Sequence, residues 1–171
     1  MRSWWFDITC AYFLLNHLSA LPLIVCHKQI KTTMSKQKNI EAQTKFGEAI
    51  NSGNFEIMND LVAADVIEND PAPGQAKGPK GYIDFFTKMR AAFPDMKVEV
   101  EQLVADDENV AFAYTLTGTH KGDFNDIPAT GKKIKARGLQ ISKFRDGKMV
   151  ERWGSSDELG ILKQIGAEVE V

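Results

Sequence analysis

Among the side chains of this sequence that could move a proton near neutral pH, His120 stands out. His120 is the only histidine outside residues 1–33, and it lies in phase with the apolar face of a candidate strand. A neutral imidazole there can donate or accept a proton, or can serve only as a hydrogen-bonding residue at a strand end. Asp157 falls in the first turn of a short helix. Its carboxylate there is a favourable partner of the helix dipole. Asn69, before Asp70-Pro71, reads by itself as a turn residue. Trp153 offers a large apolar surface to a substrate, to packing or to a subunit interface.

Other chemistries have no carrier. Both cysteines, Cys10 and Cys26, lie in the first 33 residues, so the rest of the chain has neither a thiol nucleophile nor a disulfide framework. The sequence contains no Gly-rich phosphate loop and no His/Cys set at metal-ligand spacing, so neither a cofactor nor a metal is expected. A formal net charge of -2, without a Lys/Arg cluster interleaved with aromatics, gives no reason to expect nucleic acid.

The elements that would position these residues follow from periodicity. Ile40, Gln43, Phe46, Ala49 and Ile50 have helical spacing, and Asn54 caps a second short helix that runs to Val62. Val66-Ile67 is a brief strand and 69–78 a Pro/Gly loop. Pro79 opens a third helix carrying Tyr82, Phe85, Phe86 and Met89, which Pro94 stops. From Met96 the period changes to two. Phe112, Tyr114 and Leu116 are expected to face inward with Phe86, opposite a run of Ala and Thr. In the long strand 132–144 the apolar phase slips around Gly138, which predicts a β-bulge. Asp146-Gly147 predicts a type I′ hairpin turn into a strand ending at Gly154. Ser155 or Ser156 then caps a helix striped by Leu159, Leu162 and Ile165, and Gly166 ends it. Helices followed by a curved antiparallel sheet make an α+β domain over 34–171.

Residues 1–33 differ from the rest. Ile8 to Cys26 is largely apolar but interrupted by Asn16, His17 and Pro22, which is marginal for a membrane span. Three readings stay open: an upstream extension outside the working protein, a targeting segment or anchor, and a helix of the fold. Under the first, a chain beginning at Met34 is expected to fold as stably as the whole and to reside in the cytoplasm. Export or membrane anchoring is the alternative.

Five motifs in order carry a resemblance: Ala92-Phe-Pro-Asp, Gly118-Thr-His-Lys-Gly, Ile127-Pro-Ala-Thr-Gly-Lys, Asp146-Gly-Lys-Met-Val-Glu and Leu162-Lys-Gln-Ile-Gly. Over about Ile40 to Gly166 the chain resembles the SnoaL-like polyketide cyclases, also called predicted ester cyclases. The resemblance implies the cone-shaped α+β barrel of the nuclear transport factor 2-like superfamily, with a curved antiparallel sheet wrapped around N-terminal helices. It also implies a pocket without cofactor or metal, a small hydrophobic ligand, and a homodimer or homotetramer built through the sheet.

The founding cyclases of the family close a ring by aldol condensation, using a pocket Asp as acid/base. The matching position here is Gly154, with Asp157 the nearest replacement. His120 matches the Gly-x-His-x-Gly position, and Gln140 stands where the cyclases place a pocket His. Asn69 falls near a family Asn that contacts substrate, with Glu68 as the competing match. Gly154 is expected to border one cavity with His120 and Gln140, leaving a gap where the acid would sit. Two classes of function follow. One is a cyclase or isomerase type of enzyme acting by cofactor-free proton transfer beside a carbonyl, with His120 and Asp157 catalytic. The other is a non-catalytic binding protein that has lost its base. In either, Asn69, Gln140, Tyr114, Leu116, Phe86 and Trp153 are the candidate ligand contacts.

Overall fold

A computed structural model of the chain describes residues 21–168, with side chains from Ser35 onward. The chain divides into two compact units, Met1–Lys31 and Thr32–Val171, and apart from the start of the first helix the features below belong to the second. The anchor and cleavage readings of residues 8–26 fall largely outside the described residues. Among the described residues no helix is long and apolar enough to cross a membrane.

Helix α1 (Leu21–Ser52) buries Ala42, Phe46, Ala49 and Ile50 along the expected stripe. A 3-10 turn (Phe55–Ile57) and a single helical turn, α2 (Met58–Leu61), follow. Strand β1 (Val62–Glu68) is longer than the two residues expected. Helix α3 (Pro79–Ala92) starts on Pro79, as its missing N–H allows. Arg90 near its end donates to the carbonyls of Pro94 and Met96, both at 3.0 Å, and to those of Ile50 and Asn51. One guanidinium thus satisfies carbonyls at the end of α1 that have no helical partner and fixes the turn out of α3.

The sheet contains β2 (Lys97–Ala105), β3 (Asn109–Thr119), β4 (Lys133–Arg145) and β5 (Lys148–Ser156), in the order β1-β5-β4-β3-β2. The curved sheet is antiparallel as expected across β2 to β5, and at one edge β1 adds a parallel pairing with β5. The hairpin turn is as expected, with Asp146 at φ 54° and Gly147 at φ 80°. Helix α4 (Glu158–Ile165) closes the domain and ends on Gly166 in the left-handed conformation. Phe112 and Leu116 are buried on the inner face, which packs on the helices, and Tyr114 is half-buried against Phe112. Phe86 belongs to the helical side of this core, with ring contacts to Phe46, Phe55 and Phe85.

Gly138 does not mark a bulge. The β3–β4 register runs unbroken from Asn109↔Lys143 to Thr119↔Lys133. Every second residue of β4 from Ile134 to Phe144 is buried. The apolar phase slips because the inner face becomes polar, at Gln140 and Ser142, while Leu139 and Ile141 turn outward. Register breaks lie at Glu101 in β2, at Val150 in β5 and between Val62 and Ile67 in β1. Gly138 is required for another reason. A Cβ there would come within 2.8 Å of the Tyr114 ring, which lies across it.

Candidate ligand-binding site

Strand pairing sets out the inner face as three neighbouring rows. The first runs Val110, Ser142, Arg152, Glu68 across β3, β4, β5 and β1. The second runs Phe112, Gln140, Gly154, and the third Tyr114, Gly138, Ser156. Successive rows are about 7 Å apart, two residues along a strand. The β3 end of each row is apolar or aromatic, and the other end carries the polar groups.

Glu68 and Arg152 form an ion pair whose side chains keep only 10% and 18% of their exposure. Arg152 Nη1 donates to both Glu68 oxygens, at 2.9 and 3.0 Å. The Tyr82 hydroxyl donates to Glu68 Oε2 at 2.8 Å. Burial, and then the neighbouring Glu68 carboxylate, push the Tyr82 phenol far above its ordinary range, so it stays protonated as a donor. The rest of the Arg152 guanidinium extends along β5 over Gly154. A Cβ on Gly154 would stand 2.7 Å from Arg152 Cζ. The Gly154 N–H donates to Asp70 Oδ2 at 3.0 Å.

Next to Gly154, Gln140 is buried and donates to Ser142 Oγ at 2.7 Å. In the third row Tyr114 reaches over Gly138 and its hydroxyl meets Ser156 Oγ at 2.7 Å. Beside the first row a pocket of about 540 Å³ opens between β1 and the loop 71–78, lined by Val66, Glu68, Pro71, Gln75, Gly78 and Tyr82 among others. That volume suits a small organic molecule. Among the described residues no group of three or more His, Cys, Asp or Glu is arranged to hold a metal ion.

The remaining sequence candidates stand apart from these rows. His120 follows the end of β3, eight residues beyond Phe112, the partner of Gln140; at ~3.3 Å per residue that is about 26 Å away. It is fully buried against Phe93, with Nδ1 3.0 Å from Thr130 Oγ1. The expectation that Gly154, Gln140 and His120 share one cavity with a gap at 154 is therefore corrected. Gln140 does adjoin Gly154, His120 is remote, and Arg152 fills the gap. Asp157 is exposed and is itself the cap of α4, its Oδ1 accepting from the Gly160 N–H at 2.8 Å. Ser155 and Ser156, expected as the cap, end β5 instead. Trp153 pairs with Ile141 on the outer face. Asn69 is exposed and braces β5 through the Arg152 carbonyl at 3.0 Å, while its neighbour Glu68 turns inward.

Three of the resemblance motifs build one structural node. Phe93 is fully buried between His120 and Phe124, and a Cβ on Gly118 would crowd it at 3.2 Å. The Lys121 and Gly122 N–H groups donate to the Ala92 carbonyl, and the His120 carbonyl accepts from Gly131. Asp95 accepts from the Thr119 amide and hydroxyl at 2.7 and 2.6 Å. Those bonds, led by the hydroxyl, hold its carboxyl below the ordinary 3.8.

The fold and the polar inner face define a small α+β domain with a ligand-sized pocket. The family model for the SnoaL-like polyketide cyclases matches residues 40–165, and the chain belongs to that family. It is similar to the aklanonic acid methyl ester cyclase DauD of Streptomyces sp. (strain C5), at 23% identity over 134 residues, 74% of this chain and 81% of that protein. Among solved structures, IdmH from Streptomyces antibioticus has 31% identity and a TM-score of 0.67, over 75% of this chain and 99% of that one. TsrD from Streptomyces laurentii has a TM-score of 0.71 at 21% identity, over 77% of this chain and 97% of that one, a likeness of fold.

Proposed function

We propose that this chain binds a small, largely apolar carbonyl compound on the inner face of its sheet and performs no acid/base step on it. The observation that carries this reading is Arg152 lying over Gly154. A cation fills the place where the founding cyclases have a carboxylate. The other two candidates for proton transfer support it too. Asp157 is engaged in its own helix cap, and His120 is engaged in the Phe93 node. The aromatic ends of the three rows supply apolar contact, and the hydroxyls of Tyr114 and Ser156 supply polar points for orientation.

Aklanonic acid methyl ester, the compound for which DauD is named, is a suitable first probe. Saturable binding with the ester recovered unchanged is the expected outcome. A cyclised product formed in proportion to protein concentration would refute the reading. Proton transfer in the manner of a cyclase or isomerase is the second reading. Glu68 favours it, as a nearly buried carboxylate bordering the pocket, and under it Glu68→Gln would abolish such turnover.

The outer face supports self-association. Val104, Ala111, Ile141 and Trp153 form one cross-strand apolar row, with Leu139 in the next row at 65% exposure. The Lys97–Glu99 and Arg137–Glu101 pairs flank it on one side and Lys143–Glu108 on the other. Rims of mixed sign around an apolar centre suit a second copy of the same face, as a homodimer.

A further inference from the structure

We propose that Arg152 is the anchor of the ligand site and selects a compound bearing two neighbouring oxygens that share a negative charge, a role that rests on the inner face binding a ligand. Only Nη1 of the guanidinium is used in holding Glu68. The Nε–Nη2 edge has no hydrogen-bond partner among the described residues, although the side chain is mostly buried. A guanidinium presents five N–H donors in a planar fork, and that free edge is the geometry that takes two oxygens side by side. The Nη2 corner of the fork lies over Gly154 because glycine has no Cβ there; a Cβ would meet Nη2 first and stand 2.7 Å from Cζ and 3.0 Å from Nη1. Glu68 fixes the fork from one side, and Tyr82 in turn holds Glu68. Gly154, Arg152, Glu68 and Tyr82 therefore act as one unit. Gly154 makes room, Arg152 binds, and Glu68 and Tyr82 position. Gln140 and Phe112 continue the same row towards the core, so the anion end of the ligand meets Arg152 and its apolar body meets β3. Two chemical sources offer this oxygen pair, a carboxylate and the enolate of a 1,3-dicarbonyl compound.

Calorimetric titration of the full chain with benzoate, benzoylacetone and acetophenone separates the possibilities. Benzoate supplies the carboxylate, benzoylacetone the enolised diketone, and acetophenone a neutral ketone of like size. Either anion-forming probe should bind about tenfold more tightly than acetophenone. Which of the two does so identifies the source. Arg152→Lys keeps a cation for Glu68 but loses the fork, and should erase the preference, bringing the favoured probe down to the affinity of acetophenone. The double change Arg152→Met with Glu68→Gln removes both charges together and should do the same, so neither variant leaves a buried charge alone. Equal binding of all three probes by the unaltered chain would overturn the role of Arg152 and leave the ligand site standing. A preference that survives both variants would overturn it as well. No binding of any probe would overturn both this role and the ligand site.

Discussion

The guanidinium of Arg152 occupies the space in which a side chain at position 154 would begin, with Cζ 2.7 Å from the Cβ that Gly154 lacks. The glycine and the arginine are thus one feature. A side chain at 154 and this placement of Arg152 exclude one another.

In a Gly154→Asp variant the guanidinium of Arg152 would lie directly against the new side chain. The new carboxylate would compete with Glu68 for Arg152, and a neighbouring cation lowers a carboxyl's pKa. It is expected to titrate below ~3.9 by carbon NMR of the labelled side chain. A value above that would mean that Arg152 leaves the site when the acid returns. Gly154→Ala, which adds only the methyl group, should cost about 1–3 kcal/mol through overpacking, measured by urea unfolding.

Tyr82→Phe keeps the edge-on packing against Phe46 and removes the hydroxyl that donates to Glu68. The expected loss is about 1–3 kcal/mol. The Tyr82 phenol is shifted upward in the folded chain, so its contribution is complete below its ordinary 10.0 and is lost as pH rises above it. The gap in melting temperature between the two proteins should narrow above about pH 10. A constant gap would show that burial and Glu68 do not raise the Tyr82 phenol in the folded chain.

Several of these relationships are hidden in a linear sequence. The Asp146-Gly147 turn, the Pro79 start and the Gly166 stop were legible because each rests on local backbone chemistry. Gly138 was misread because its cause is the Tyr114 ring, 24 positions earlier in the chain, and not its own strand. The alternation along β4 carried the correct face throughout, but Gln140 and Ser142 broke the apolar pattern by which the inner face is recognised. Arg152 and Glu68 are 84 residues apart and meet only through the parallel pairing of β1 with β5. Local pattern and the family resemblance together left Asn69 open between a ligand contact and a turn residue, whereas the alternation of Val66 with Glu68 was the available signal for the inward residue. Asp157 was legible as a helix-start acid, with the cap assigned one or two residues early.

Asp95 ties the α3–β2 turn to the end of β3 through Thr119. Its carboxyl is shifted down in the folded chain, so the stabilisation is present above the ordinary 3.8 and is lost as pH falls through and below it. Asp95→Asn should be less stable than the parent at neutral pH, and the difference should shrink in thermal melts taken progressively below pH 4. A difference that persists unchanged at pH 2 would assign the effect to something other than the ionised carboxylate.

Trp153→Glu inserts a charge into the outer apolar row without touching the inner face. Sedimentation equilibrium should show a dimer for the parent and a monomer for the variant, both with the same circular dichroism. A monomeric parent would remove the outer face as a subunit interface.

The most direct measurement follows exchange of the α-protons of acetophenone in D2O by proton NMR, with and without saturating protein. The ketone is expected to bind, seen as line broadening that reverses on dilution, while its methyl protons exchange at the buffer rate. Exchange that accelerates with protein concentration and saturates with ketone would contradict a site without an acid/base. It would return the catalytic role to a carboxylate of this chain, with Glu68 first to be replaced.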